Sequence, residues 1–84
     1  MGKHEKLLRM ILRGASDANV AFDDVRSLLL HLGFEERVRG SHHLYRKEGV
    51  MEKINLQRSG NKAKPYQVRQ VRDVIAKYHL AGEE

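Results

Sequence analysis

The sequence contains no cysteine, a single proline and no long apolar run. The absence of cysteine excludes disulfide bridges and zinc sites with thiolate ligands. A helix that crosses a bilayer needs about 20 consecutive apolar residues, and no such run occurs, so we expect no membrane-spanning segment. The first residues lead into an amphipathic pattern, so we also expect no signal peptide and predict a cytoplasmic protein.

Short motifs for metal or cofactor chemistry are also missing. The chain has no G-x-x-x-x-G-K-[ST] phosphate loop and no H-E-x-x-H zinc motif. The adjacent His42 and His43 would point to opposite sides of a strand, so they make a poor metal pair. Ser41 lies beside His42, but no acid is placed to orient that imidazole as a hydrolase triad needs. We therefore expect neither a metal nor a small-molecule cofactor.

The chain has 84 residues, which is enough for one small domain, and its positive charge is unevenly distributed. Residues 1–36 carry a net charge of −1, residues 37–72 carry +8, and residues 73–84 carry −2. A strongly basic middle segment attracts a polyanion through Coulomb steering and counterion release. A basic face that merely contacts solvent is the alternative interpretation.

Hydrophobic spacing predicts two helices before the basic segment. The first spans Lys3–Arg13 and is stopped by Gly14. The second follows an N-cap at Asp23 and ends at Gly33, where a left-handed glycine would terminate it. Its buried face consists of apolar residues at helical spacing: Val25, Leu28, Leu29 and Leu32.

Alternating residues then predict three strands, which are Phe34–Arg39, His42–Lys47 and Met51–Gln57. The short links between them indicate an antiparallel meander, with a tight turn at Gly40-Ser41. The segment 58–64 lacks periodicity and is predicted to be a polar loop. Pro65 then begins a final helix, because proline is tolerated in a first turn. The buried face of this helix is formed by Val68, Val71, Ile75 and Tyr78.

This order of elements predicts an α+β fold. A three-stranded antiparallel sheet would be apolar on one face, where the second and last helices pack, and free to be polar and basic on the other. An additional N-terminal helix precedes this unit. We divide the chain into an N-terminal helical extension, a main domain and a C-terminal tail: residues 1–20, residues 21–80 and residues 81–84.

His42 is the candidate catalytic residue, because it follows the Gly-Ser turn and begins a strand in the most basic part of the chain. Histidine suits proton transfer near neutral pH. RNA cleavage through the 2′-hydroxyl needs such a group and nearby cations for the phosphorane oxygens. The residues alone favour binding without cleavage equally well. Candidate RNA contacts are the cations Arg39, Arg46, Lys47, Lys62 and Lys64, together with Ser41 and with His43 and Tyr45 as base-stacking groups.

One conflict concerns the direction of the His42 side chain. Strict alternation places His42 on the same side of its strand as Leu44, and His43 on the side of Tyr45. If Leu44 belongs to the core, His42 faces inward. A bulge at Gly40-Ser41, or a position at the edge of the strand, would be needed to turn it outward.

Gly33-Phe34 followed by Arg39-Gly40-Ser41-His42-His43-Leu44-Tyr45 resembles the HicA toxins of type II toxin–antitoxin systems. These are small mRNA interferases whose fold is similar to the double-stranded RNA-binding domain. The resemblance covers roughly residues 22–80. It implies that His42 is the catalytic residue of a metal-independent endoribonuclease acting on mRNA, and that a HicB-type antitoxin covers the site.

The chain departs from the family pattern at two places. It carries residues 1–20 before the usual start, and it has residues 62–68 where the family has a Gly-Thr-Leu entry to the last helix. Two alternatives to a ribonuclease stay open. One is a non-catalytic RNA-binding module that uses the same basic face, and the other is a module whose basic surface binds an acidic protein.

Overall fold

A computed structural model describes residues 2–81 of the chain. The helices are α1 (Lys3–Arg13), α2 (Phe22–His31) and α3 (Pro65–Lys77), with a short 3-10 turn at Asp17–Asn19. The strands are β1 (Glu35–Arg39), β2 (His42–Arg46), β3 (Ile54–Leu56), β4 (Arg58–Ser59) and β5 (Lys62–Ala63). The fold is α+β, as predicted, and is consistent with the double-stranded RNA-binding domain. Within the described residues, no helix is long and apolar enough to cross a bilayer.

Strands β1, β2 and β3 form an antiparallel sheet in that order. All five residues of β1 pair with β2 in one continuous register, from Glu35 opposite Arg46 to Arg39 opposite His42. The first turn residue, Gly40, has a φ of 60°, and the second, Ser41, has a negative φ. A positive φ at the first position alone defines a type II′ turn. The two strands therefore meet at a two-residue turn, and His42 is the first residue after it.

Strand β3 is shorter than predicted, because side chains of the C-terminal region take some of its backbone donors. The amide of Met51 donates to the hydroxyl of Tyr78 at 3.2 Å, and the amide of Gln57 donates to Oε1 of Gln67 at 2.7 Å. Only Ile54–Leu56 pairs with β2. The ladder is thus limited at both ends by contacts that are distant in sequence.

The segment 58–64 is not the predicted polar loop, since β4 and β5 pair as a two-stranded hairpin within it. This hairpin is fastened to the chain before α2. The amide of Ala63 donates to the carbonyl of Val20 at 2.9 Å, and the amide of Phe22 donates to the carbonyl of Asn61 at 3.0 Å. Backbone hydrogen bonds to a remote segment do not require alternating polar and apolar side chains, so the sequence of β4 and β5 shows no strand pattern.

Helix α2 begins two residues earlier than predicted. Its N-cap is Ala21 rather than Asp23. Asp23 and Asp24 lie in the first turn, where the positive end of the helix dipole stabilises their carboxylates. The end of the helix agrees with the prediction, because Gly33 has a φ of 98°. Pro65 begins α3, as expected for a proline in a first turn.

The hydrophobic core lies between the sheet and the three helices. Its fully buried members include Phe22, Leu29, Tyr45 and Ile54. Helix α1 contributes Leu7 and Ile11 to the same core and packs against both α2 and α3. The predicted tail, residues 81–84, lies outside the described residues except for Ala81, which packs against the core.

Candidate active site

The three-stranded sheet has two chemically different faces. Buried Tyr45, Ile54 and Leu56 point toward the helices and define the core face. Because neighbouring residues of a strand point to opposite sides, the register assigns the other face. We call this the open face, and it consists of Glu35, Arg37, Arg39, His42, Leu44, Arg46 and Asn55.

His42 lies on the open face without a bulge in β2. The conflict with Leu44 would arise only if Leu44 belonged to the core. Tyr45 occupies the core instead and is fully buried, while Leu44 is half-buried on the open face. Regular alternation therefore exposes His42, and the bulge considered from the sequence is unnecessary.

The imidazole of His42 has one side-chain partner among residues 2–81. Its Nδ1 lies 3.4 Å from Oδ1 of Asn55 on the neighbouring strand. When Nδ1 carries the proton, it donates to this oxygen and the Nε2 lone pair remains available to accept a proton. The ring is thus oriented by an uncharged group, and its second nitrogen can serve a substrate.

Cations lie beside His42 and further along the open face. Arg39 is its direct cross-strand partner and is exposed. A shallow groove of about 450 Å³ runs along the same strands. The residues that line it are mainly basic, with Leu44 between them: Glu35, Glu36, Arg37, Arg39, Leu44, Arg46 and Lys53. Four cations along one groove form a surface that attracts phosphates.

Comparison with known proteins gives the family. A family model described as the HicA toxin of bacterial toxin–antitoxin systems matches residues 22–78. The chain belongs to the HicA toxin family. Neither a curated protein nor a solved structure matches it significantly. Membership makes the protein a toxin of a toxin–antitoxin system, and such a system supplies an antitoxin partner.

The remaining cations predicted to bind RNA lie away from the groove in this HicA-family toxin. Lys47 follows the far end of β2, and its Nζ lies 2.9 Å from the point where a Cβ on Gly33 would be. Lys62 is half-buried in β5, and Lys64 precedes α3, with its Nζ 3.5 Å from Oε1 of Gln57. Ser41 is exposed in the turn beside His42.

Two predicted base-stacking groups face the core rather than the open face. Tyr45 is fully buried, so its ring cannot stack on a base, and this prediction was wrong. The His43 side chain is 18% exposed and packs edge-on against Phe22, with ring centroids 4.9 Å apart. His43 therefore belongs to the core face, and we no longer assign it to base stacking.

Glu36 organises the polar groups on the core face. Its carboxylate accepts hydrogen bonds from Nε of Arg26 at 2.6 Å and from the Tyr45 hydroxyl at 2.6 Å. Nδ1 of His43 lies 3.5 Å from the same carboxylate. The bond from Arg26 is the main cause that lowers the pKa of Glu36 from 4.5 to about 2. Burial, aided by the Glu36 carboxylate, raises the pKa of Tyr45.

The sequence did not single out Asn55, Arg37 or Lys53 as site residues. Arg37 could have been found, because alternation along the predicted strand Phe34–Arg39 places it on the same side as Arg39. Asn55 could not, since its role depends on the register between β2 and β3. Within residues 2–81, no three histidine or acidic side chains lie close enough together to hold a metal ion.

Proposed function

We propose that this HicA-family toxin is an endoribonuclease that cleaves mRNA without a metal ion, with His42 as its single catalytic residue. The observation that carries the proposal is the exposed imidazole of His42, held by Asn55 and placed opposite Arg39. These groups lie on a basic face that is large enough to follow an RNA backbone. The compartment that fits an mRNA substrate is the cytoplasm.

The chemistry assigns His42 the role of general base. Its Nε2 accepts the proton of the 2′-hydroxyl while the 2′-oxygen attacks the adjacent phosphorus. The bond from phosphorus to the 5′-oxygen breaks, and a solvent molecule on the opposite side protonates that oxygen. The products are a 2′,3′-cyclic phosphate and a free 5′-hydroxyl.

The guanidinium of Arg39 supplies the electrostatic part of the reaction. It is the cross-strand neighbour of His42, so a phosphate bound beside the imidazole lies within its reach. Fixed cations that face a developing negative charge are a large source of rate acceleration. Arg37, Arg46 and Lys53 line the rest of the groove and hold phosphates of flanking nucleotides.

We also propose that Ser41 and Lys64 contact the RNA near the start of β2, and that Lys62 extends this basic surface. Ser41 is exposed beside His42, and Lys64 reaches Gln57 at the neighbouring strand end. The antitoxin partner is proposed to be of the HicB type and to inhibit the toxin by covering the open face. An inhibitor that covers this face must meet its positive charge with acidic groups.

Cleavage of an end-labelled single-stranded RNA in EDTA tests this proposal. The wild-type protein should cleave, and His42→Ala should lower the rate by roughly 10²–10⁴, the usual contribution of a general base. His79→Asn is the matched control, because His79 is exposed outside the open face and asparagine tolerates its φ of 54°. Equal cleavage by wild type and His42→Ala would contradict the assignment of His42.

RNA binding without cleavage is the second candidate function, and the same basic groove favours it. The two functions differ in the fate of the RNA. A binding module leaves the RNA intact, while its log affinity falls linearly with log salt concentration. Salt-dependent binding by the wild type with no product in EDTA or in added magnesium would select this alternative.

A further inference from the structure

Tyr66 is the most exposed aromatic side chain of the described residues. It is 56% exposed, whereas Phe22, Phe34 and Tyr45 are buried and Tyr78 is half-buried. The ring belongs to the first turn of α3, where this chain departs from the family pattern. Exposed aromatic rings in a basic environment are typical platforms for unpaired bases.

Two hydrogen bonds anchor the chain on either side of Tyr66 to the residue that follows β3. Lys64 and Gln67 both contact Gln57, through distances of 3.5 Å and 2.7 Å. Gln57 directly follows β3, and the preceding Leu56 pairs with His43. With a strand spacing of about 5 Å and about 4 Å between successive Cα atoms, the backbone of Tyr66 lies on the order of 15 Å from His42. A few nucleotides of single-stranded RNA span this distance.

The charge around Tyr66 favours a polyanion. Residues 53–72 contain six lysine or arginine residues and no acidic residue, and two of the six, Arg58 and Arg72, are paired with Asp23 and Asp17. Lys64 precedes the ring by two positions, and Arg69 follows it by three, which places Arg69 on the same side of α3. Phosphates on either side of a stacked base would meet these two cations.

We infer that Tyr66 is a stacking platform for one unpaired base of the RNA that His42 cleaves. This inference rests on the proposed ribonuclease function and adds a second subsite to it. RNA bound at His42 and at Tyr66 follows the end of the sheet past Gln57, and the stacked base fixes which phosphate lies at the imidazole. Tyr66 is therefore a residue that positions the substrate and selects the cleavage point.

Binding should be measured in the His42→Ala background, so that the RNA stays intact. A further Tyr66→Ala change should weaken the affinity for a short single-stranded RNA by roughly five- to a hundredfold, the effect of one stacked base. Tyr66→Phe should bind like the parent, because the ring is retained. The dependence of log affinity on log salt should be unchanged in Tyr66→Ala and shallower in Lys64→Gln, since only the lysine is charged.

The chain contains no tryptophan and three tyrosines, so its fluorescence comes from tyrosine, and Tyr66 contributes to it. RNA should quench this emission in the His42→Ala background. A further Tyr66→Phe change should remove this quenching, because phenylalanine does not emit at the wavelength of tyrosine. Tyr78→Phe is the control, because the Tyr78 hydroxyl is engaged by Glu52 at 2.7 Å. A series of RNAs with one abasic position each should contain a single position that weakens binding by the parent but not by Tyr66→Ala.

The outcomes separate the inference from the proposed function. If His42→Ala binds RNA and a further Tyr66→Ala change leaves the affinity unchanged, and if Tyr66→Ala alone cleaves at the same position as the wild-type protein, the stacking role is overturned while the ribonuclease stands. Loss of binding in Tyr66→Ala with no abasic position that reproduces it would also overturn the role and indicate a protein contact. If the wild-type protein neither binds nor cleaves RNA, the proposed function and this inference both fail.

Discussion

Replacement of Glu36 by glutamine tests the account of the core face. The carboxylate accepts bonds from Nε and the second terminal nitrogen of Arg26 at 2.6 and 3.0 Å, and from the Tyr45 hydroxyl at 2.6 Å. Its side chain is only 14% exposed. Glutamine preserves the shape and one oxygen acceptor but removes the charge. The change therefore removes the negative charge together with one of the two oxygen acceptors.

The lowered pKa sets the size of the effect. A pKa reduced from 4.5 to about 2 means that the folded protein favours the ionised over the neutral carboxyl. Because one pKa unit corresponds to 1.36 kcal/mol, this preference is at most about 3 kcal/mol. Arg26 is 43% exposed, so solvent screens part of it. We expect Glu36→Gln to lower the free energy of unfolding by about 2 kcal/mol at pH 7.

Urea unfolding across pH measures this quantity. A carboxyl whose folded pKa is depressed contributes stability that is present above its unfolded pKa and is lost as pH falls toward the folded value. The gap between wild type and Glu36→Gln should thus be full at pH 7 and shrink between about pH 4.5 and pH 2. Glu35→Gln is the control, because Glu35 is exposed on the open face, and its effect should stay within about 0.5 kcal/mol.

Two results would refute the reasoning. A difference in the free energy of unfolding below about 0.5 kcal/mol between wild type and Glu36→Gln at pH 7 would mean that the bond from Arg26 adds nothing beyond its desolvation cost. A gap of the same size at pH 7 and pH 3 would show that the loss comes from packing rather than from charge. Either result would remove the carboxylate of Glu36 as the organiser of the core face.

The other stability predictions concern helix α1 and the turn before β1. Ile11 is fully buried, so Ile11→Ala should lower the free energy of unfolding by about 2–5 kcal/mol. Leu12 is 37% exposed, so Leu12→Ala should lower it by less than about 1 kcal/mol. Urea titration of the two variants measures both values. Gly33 has a φ of 98° and an added Cβ would meet Lys47, so Gly33→Ala should lower the thermal midpoint and cost about 1 kcal/mol. Equal costs for Ile11→Ala and Leu12→Ala would show that α1 does not pack on the core.

The order of the elements and the two-faced sheet could be predicted from local patterns. Helical spacing marked α1 and α2, and a glycine with positive φ ended α2 at the expected position. Alternation along the predicted strand Phe34–Arg39 places Arg37 and Arg39 on the same side. These features depend on residues close together in sequence, and so a single sequence contains them.

Features that depend on remote partners could not be predicted. The pairing of β4 with β5 is supported by backbone bonds to Val20 and Phe22, and the ends of β3 are limited by Gln67 and Tyr78. Whether Leu44 belongs to the core could not be decided from the sequence for a related reason. Tyr45 carries a hydroxyl, and its burial is acceptable only because Glu36, on another strand, accepts its hydrogen bond.

The hydrogen bond between Tyr45 and Glu36 on the core face affects which residues lie on the open face. These residues are direct cross-strand partners, and their bond is satisfied only in the observed register of β1 and β2. A slip by one residue would turn Tyr45 outward and His42 inward, since side chains alternate with period two. The buried carboxylate therefore favours the one register that exposes His42 opposite Arg39. It follows that Glu36 supports the site through the position of the strand, without contact between its side chain and the substrate.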